Sequence, residues 1–546
     1  MKTAQSFNLA DLFESVAAVI PQKAAVVCGA RRLTFAGLDH RANRLANALQ
    51  ARGIGSGDHV GLYLHNGTEY LEGMLAAFKL RAVPININYR YVENELAFLF
   101  NDANLAALIY QREYAPHIAH VKNSVSTLRT FIAVDDTSLA DIAPLGGALY
   151  EPTLEVAAAE PQTIKRSGSD QYIIYTGGTT GMPRGVIWRH EDVFFAGLQG
   201  GVPGGEPIVR PEELAMLALD REAPMTIFPA APFIHGAAQW AGLIGLFSGG
   251  KVVLMPGRSF DPVRACELIA AEQVIAINLV GDAMARPFVE AIARRAQALP
   301  DSPYDMASLM VVSSAGAVLS DSVKAELERQ LPNALVLNSF GATETGHQGT
   351  IFPGQSSTKK SFFMDESSRV FDDSLKPIEP GSGQIGKLGR RGRVPVGYYN
   401  DPEKTRTTFV TIDGERWVLA GDLATVESDG MITVLGRGAV CINSGGEKVF
   451  PEEVESVLKG HPHVLDAIVV GVPDERWGER VAAVIQPRAG VTIAFTSIDA
   501  HCREHVAGYK TPRTICVVDE IVRQPSGKPD YRWAKEHLTK HLNGEA

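Results

Sequence analysis

Twelve residues from Tyr175 to Val186, YTGGTTGMPRGV, hold four glycines and three threonines and continue directly from the strand-like QYIIY. Glycine lets a backbone come close to an anion with no Cβ in the way, and threonine hydroxyls add donors to the backbone N–H groups. A phosphate is the ligand such a run suits. It lacks the Gly-Lys-Ser/Thr ending of the common triphosphate loop, and it runs between two strand-like stretches, QYIIY and GVIW, where that loop would open a helix. A Gly/Thr turn on the surface is the competing reading, so the rest of the chain has to decide.

Three further stretches offer what a nucleotide site needs. NSFGATETG places an aromatic ring, Phe340, and a carboxylate, Glu344, four residues apart in a glycine-rich turn. LAGDLA sets Asp422 after a glycine, where its carboxylate could accept two hydrogen bonds from ribose hydroxyls. QPSGKPDY puts Lys528 in a turn between prolines near the C-terminus. Taken singly, such a phenylalanine is core, such a glutamate is solvated and such a lysine is an exposed turn residue. GSGQIGKL, residues 381–388, has the G-x-x-x-x-G-K spacing but ends in Leu388, so the hydroxyl that would hold magnesium is missing and the stretch reads as a turn.

The elements that must position these residues alternate. Leu38, Ala42, Leu45 and Leu49 recur at helical spacing before the strand-like HVGLYL; Leu71, Met74, Leu75 and Phe78 mark a second helix before VPINI. ALIY at 107–110 and TFIAV at 130–134 continue the series, and KVVLM, VIAINLV and SLMVVSSA repeat it between residues 225 and 350. Strand and helix in alternation predict parallel sheets covered on both faces. Near 380–400 the chain turns to Gly, Pro and Arg, which suits short strands and turns. After Arg437 a compact stretch follows with helix PEEVESVLKG and strands DAIVVGV, RVAAVIQ and RTICVVD. The expected architecture is α/β: a large N-terminal domain, residues 1–436, of stacked αβ layers plus a β-barrel-like part, and a small mobile α+β domain, residues 437–546.

At 546 residues, 45% hydrophobic and 21% charged, the chain is globular and too long for one core. A net charge of −10 with no dense Lys/Arg run argues against nucleic acid or an anionic membrane as the main partner. Cys28, Cys266, Cys441, Cys502 and Cys516 form no C-x-x-C pair, which implies neither a disulfide framework nor a zinc site. The N-terminal stretch MKTAQSFNLADLFESVAAVI has acidic residues inside its apolar part, unlike a signal peptide, and no apolar run reaches the ~18 residues of a membrane span. A cytoplasmic, soluble protein is expected, with a homodimer the expected assembly if it is not a monomer.

YTGGTTGMPRG, FGATETG, GYYNDPEKT, AGDLA, GR followed by SGGEKVFPEEVE, GVPDERWGE and PSGK occur in the order and approximate spacing of the adenylate-forming superfamily, which includes acyl-CoA synthetases, luciferases and peptide-synthetase adenylation domains. The resemblance runs from about residue 10 to residue 535. It implies an enzyme that activates a carboxylic acid with ATP and Mg2+ to an acyl-adenylate, releases pyrophosphate and passes the acyl group to a thiol such as CoA. By similarity Thr176, Gly177, Gly178, Thr179, Thr180 and Gly181 cradle the β- and γ-phosphates, Thr343 touches the α-phosphate and Glu344 holds Mg2+. Phe340 stands where the family usually has a tyrosine on adenine, followed by Gly341, and Gly316 matches the stretch lining the adenine and acyl pocket. Asp422 and Arg437 correspond to ribose-binding residues.

Lys528 matches the lysine that bridges the substrate carboxylate and the α-phosphate. In the family the small domain then rotates about a hinge beside Arg437 and brings the SGGE loop into the site, where Gly445 and Gly446 would lie along the pantetheine arm; Trp477 would line the same tunnel. His235, in APFIHGAAQW, matches a position at the acyl-pocket mouth, with simple packing as the equal alternative. Two departures stand out: the usual lysine of the phosphate loop is Arg184, and the usual charged residues after the ribose-binding arginine are Ala439 and Val440. The uncharged run HGAAQWAGLIGLFSGG, residues 235–250, suggests a hydrophobic acid, and the wording around 175–192 is similar to bacterial ligases of long-chain acids and steroid side-chain carboxylates. An acyl-AMP ligase loading a carrier protein, or a non-catalytic ATP- or acyl-binding homologue, are the alternatives.

Overall fold

Leu38, Ala42, Leu45 and Leu49 share one face of the helix Phe35–Gln50 and are all buried. Thr34 starts this helix by accepting the Gly37 amide on its side chain. The strand His59–Tyr63 has no solvent-facing side because each face is covered: Val60 and Leu62 join the apolar cluster under the helices Phe35–Gln50 and Thr68–Lys79, whereas Tyr63 enters a second cluster with Phe100 and Ile118. That is why it reads as a continuous apolar run. Burying each such large side chain contributes on the order of 2 kcal/mol.

The computed structural model describes the chain apart from residues 1–3, 177–181, 224, 318, 352–360, 363–364, 445–446, 475–476, 525–526 and 543–546. Among the described residues two eight-stranded sheets dominate. In one, Leu335–Ala342, Val311–Ser314, Ala276–Leu279, Ile227–Pro229, Val252–Leu254 and Ala24–Cys28 run parallel, with antiparallel edge strands Gly346–Ile351 and Arg31–Thr34. In the other, Gln171–Thr176, Val83–Asn86, His59–Tyr63, Leu105–Gln111, Thr130–Val134 and Ala148–Leu149 run parallel, and Arg184–Arg189 and Gly397–Tyr398 extend the edge antiparallel. One large core joins residues of both sheets through helices such as Leu9–Val19, Thr68–Lys79 and Gly236–Phe247. These are the stacked αβ layers the sequence alternation implies.

Residues 361–437 build a seven-stranded antiparallel sheet, the barrel-like part, around Val370, Leu388, Ala424 and Ile432. GSGQIGKL runs from turn glycines into its strand Gly386–Arg391 and not into a helix, in line with its reading as a turn. From Ile442 onward a five-stranded sheet forms, centred on the hairpin Val464–Asp474 and Gly478–Pro487 and flanked by the helices Pro451–Gly460, Phe495–His505 and Tyr531–Leu542. This small α+β unit sits on the large one through charge: Lys459 Nζ lies 3.5 Å from Asp282 Oδ2, with both side chains buried. Burial alone would raise the Asp282 carboxyl; the Lys459 ammonium, the Ser320 amide and the Arg286 guanidinium together hold it below the ordinary carboxylate value.

Candidate active site

The functional loops gather at the carboxyl ends of the parallel strands, where open α/β sheets present their ligand crevice. Thr176 ends the strand Gln171–Thr176, His235 follows Ile227–Pro229, Gly316 follows Val311–Ser314, and the ATET turn follows Leu335–Ala342. The strands on either side of the glycine-rich run pair antiparallel, with Thr176 opposite Arg184. Gly177, Gly178, Thr179, Thr180 and Gly181 lie outside the described residues.

Asn86 fixes the end of the first of these strands. Its amide nitrogen donates to the carbonyls of Tyr175 (2.8 Å) and Ile234 (2.7 Å), and its oxygen accepts the Tyr175 amide (2.7 Å). One side chain thus continues the ladder that the backbones make at Ile85 and Ile173, and ties the strand leading into the glycine-rich run to the loop carrying His235. Nothing in the spacing singled out Asn86; the available signal was an asparagine inside a buried strand, a residue type strands disfavour.

His235 is half-buried and precedes the twelve-residue helix Gly236–Phe247 as its N-cap. A Cβ built on Gly236 would stand 3.8 Å from Thr343 Oγ1, so the positive end of that helix lies beside the ATET turn. Most of the apolar run behind it is core: Trp240, Leu243, Leu246 and Phe247 pack between the two sheets. Its lack of charge therefore reflects packing first.

Thr343 is held by its carbonyl, which accepts Trp188 Nε1 at 2.9 Å. Glu344 is buried, and Tyr398 Oη donates to its Oε1 at 3.1 Å. A buried carboxylate oriented by a phenol is a hard oxygen ligand of the kind Mg2+ takes together with nucleotide phosphates and water, so this position fits that ion. Gly341 has a packing reason to be glycine, because a Cβ there would meet the Gly346 carbonyl at 2.2 Å. Phe340 packs against Phe362 with ring centroids 5.4 Å apart, at the edge of the barrel-like core. Gly316 has φ +82° with no described protein atom within 4 Å of a Cβ built there, so it opens on space.

Arg184 faces a partner that the sequence reading did not foresee. Its Nε lies 3.0 Å from Asp401 Oδ2, in the GYYNDPEKT stretch, and Asp401 also caps the helix Pro402–Thr408 by accepting the Lys404 amide. The Lys404 N–H, and after it the Arg184 guanidinium, hold the Asp401 carboxyl below its ordinary value. Asp422 is buried at the start of its strand and stands opposite Arg437 in the antiparallel register; the Arg437 side chain is outside what is described.

Lys528 is exposed in a turn closed by Gln524 N to Lys528 O (2.9 Å) and Gly527 N to Gln524 O (2.8 Å). A Cβ on Gly527 would be 3.2 Å from Val280 Cγ1, which places this turn on the carboxyl end of the strand Ala276–Leu279, next to the strand that leads to Gly316. Trp477 lies elsewhere. It adjoins Gly478, whose register partner is Ser444 at the base of the SGGE loop; Gly445 and Gly446 themselves are outside the described residues. The lysine turn is tied to Asp466 and the SGGE loop to the Asp474–Gly478 end of the same hairpin. Eight residues of strand at ~3.3 Å each put roughly 26 Å between the two ends.

Two family models cover this arrangement. Residues 13–399 match the AMP-binding enzyme family and residues 453–528 the AMP-binding enzyme C-terminal domain. The chain belongs to the AMP-binding enzymes. It is 44% identical over 536 residues, 97% of this chain and 96% of the other, to a 3-oxocholest-4-en-26-oate–CoA ligase of Rhodococcus rhodochrous. It is equally 44% identical over 543 residues, 98% and 97% of the two chains, to a medium/long-chain-fatty-acid–CoA/3-oxocholest-4-en-26-oate–CoA ligase of Mycobacterium marinum. Among solved structures, an anthranilate CoA ligase in complex with anthranoyl-AMP superposes with TM-score 0.82 at 23% identity over 99% of this chain and 98% of that one. ATP-bound MatB from Rhodopseudomonas palustris gives 0.78 at 24% over 98% and 99%. This adenylate-forming fold agrees with the sequence reading. Among the described residues no helix is long and apolar enough to cross a membrane.

Proposed function

We propose that this AMP-binding enzyme is an acid–thiol ligase that converts a bulky hydrophobic carboxylic acid, a long-chain or steroid side-chain acid, to its CoA thioester through an acyl-adenylate. The observation that carries the two-step chemistry is the hairpin geometry of the small domain. The hairpin positions that hold the Lys528 turn and the SGGE/Trp477 end, Asp466 and Asp474, are roughly 26 Å apart along the strand, so one rigid placement does not bring both ends to one reacting centre. The placement described here has the lysine turn at the crevice, which suits adenylation. Rotation about a hinge at Arg437, between a domain of residues 1–436 and one of 437–546, would exchange the two ends.

In that first step the ATET turn, the helix N-terminus at Gly236 and Lys528 would meet the α-phosphate, and fixed donors aimed at developing charge are the largest catalytic term available. Thr176 to Gly181 with Arg184 would hold the outer phosphates, Phe340, Gly341 and Gly316 the adenine, and Asp422 with Arg437 the ribose. Mg2+ held by Glu344 would offset charge between the incoming carboxylate and the phosphates. His235 would stand at the mouth of the acyl pocket. In the second step Gly445, Gly446 and Trp477 would admit the CoA thiol. The curated relatives' names support the acid class more strongly than the apolar run does, since that run is largely core. The reducing cytoplasm would be the working compartment, with a homodimer the assembly to test.

The test is incubation with ATP, Mg2+ and acids from short fatty acids to steroid carboxylates, with and without CoA, reading pyrophosphate and thioester. Thioester formed only with CoA and best with one bulky class is expected. Adenylate without thioester would transfer the reading to a carrier-protein acceptor, and silence across the panel would overturn it.

A further inference from the structure

The exposed Lys528 side chain has a flexible four-carbon stem, so the position of its ammonium depends on how firmly the turn beneath it is anchored. Arg523 attaches that turn to the small domain's sheet. Arg523 places Nε 2.7 Å from Asp466 Oδ2 and Nη2 2.6 Å from Asp466 Oδ1, a two-pronged ion pair, while its Nη1 donates to the Gly527 carbonyl at 3.0 Å. Asp466 belongs to the strand Val464–Asp474, and both partners are mostly buried. The guanidinium therefore spans two things at once: a carboxylate fixed in a strand and the backbone oxygen immediately before Lys528. An isolated bridge between Arg523 and Pro529 closes the same turn from outside.

We infer that Arg523, oriented by Asp466, is a positioning residue that sets the height and direction of Lys528 over the crevice. The inference rests on the adenylating role proposed for Lys528 above. A planar fork is required, because a point-charge ammonium cannot hold both carboxylate oxygens and the Gly527 carbonyl in one geometry. Arg523 is distant from the SGGE end of the hairpin, so its effect belongs to the first half-reaction alone.

The experiment measures the two half-reactions separately: pyrophosphate release from ATP and acid, and thioester formation from supplied acyl-adenylate and CoA. Arg523→Ala and, keeping shape, Asp466→Asn should each slow adenylation about 10- to 100-fold, the scale of a misplacement near 1 Å. Thioester formation should stay within about twofold, and Arg523→Lys should behave like the alanine variant. In a Lys528→Ala background, Arg523→Ala should add less than about a twofold further loss, because effects on one unit do not multiply. Loss of both half-reactions together, or full multiplication of the two losses, would overturn the inference and leave Lys528 in its role. If Lys528→Ala itself leaves adenylation intact, the role of Lys528 fails first, and the inference goes with it.

Discussion

Replacing Asn86 with alanine removes three hydrogen bonds of 2.7–2.8 Å from a buried site and adds none. The Tyr175 amide and the Tyr175 and Ile234 carbonyls lose these partners, and each buried group left unsatisfied costs about 1–3 kcal/mol. A water entering the vacated polar space would soften this, so the low end of the range, about 3 kcal/mol in all, is the working figure. The functional loss should exceed what stability explains, because the two loops held together carry Thr176 and His235. Pyrophosphate release with saturating acid and varied ATP should show kcat/KM for ATP falling about tenfold or more, measured at a temperature where the variant is still folded. Asn86→Asp sharpens the test. Its carboxylate can still accept the Tyr175 amide but opposes two carbonyl oxygens, which raises its pKa; once protonated it can donate to one of them. Activity relative to the native protein should therefore be lowest near pH 8 and recover toward pH 6. An Asn86→Ala protein with unchanged melting and unchanged ATP kinetics would refute the reasoning, as would an aspartate variant with no pH-dependent recovery.

Lys528→Ala should abolish adenylation yet leave thioester formation from supplied acyl-adenylate largely intact: a unit charge ~4 Å from another is worth roughly 4 kcal/mol at an effective dielectric of 20, about a thousandfold in rate. Equal loss of both steps would contradict it. Tyr398→Phe removes the 3.1 Å hydrogen bond to Glu344 and should raise the Mg2+ concentration for half-maximal activity about tenfold with the CoA dependence unmoved; an unaltered Mg2+ titration would remove Glu344 from the ion's site. His190, fully buried between the Leu9 amide and the Gln171 carbonyl, is pushed down to about 4 from 6.5 by burial. Its folded value lies below its unfolded one, so the unfolded chain takes the proton first; up to ~3 kcal/mol of stability present above pH 6.5 is lost as pH falls toward 4. Urea unfolding across that window should show this slope in the native protein and a shallower one in His190→Gln, and parallel slopes would reject the assignment.

What could be read in the sequence was local. Leu38 to Leu49 announce their helix because one buried face repeats every three or four residues, and Val60 with Tyr63 announce a strand buried on both sides. The ATET and PSGK stretches were legible as turns because glycine permits, and proline fixes, backbone angles that turns use. Partners far apart in the chain were not legible. Arg184 meets Asp401 across 217 positions, and Asn86 meets Tyr175 across 89; no periodicity links them, since the strand order of the sheet alone brings them together. Some of these positions also carry a packing constraint that composition does not separate from function: a Cβ at Gly341 would stand 2.2 Å from the Gly346 carbonyl, and most of the uncharged run after His235 lies in a helix buried between two sheets.

The same limit explains why the two chemical ends of the small domain could not be placed from spacing. Ser444, Trp477 and Lys528 follow one another along the chain at intervals of 33 and 51 residues, which by themselves permit any arrangement. Strand direction decides it. Gly478 begins a strand whose register partner at that end is Asp474, while the other end of the hairpin pairs Asp466 with Gln486; Arg523 binds Asp466 and thereby holds the Lys528 turn at that far end. A hairpin of this length is stiff, so it cannot fold back to bring Lys528 and the Ser444 loop together. If both groups serve one reacting centre, the whole unit has to turn. The buried Lys459–Asp282 pair, 3.5 Å apart across the boundary, is then a contact that must be broken and remade in every cycle. Breaking such a pair is tolerable only if water reaches both charges as it opens, since an uncompensated buried charge costs several kcal/mol.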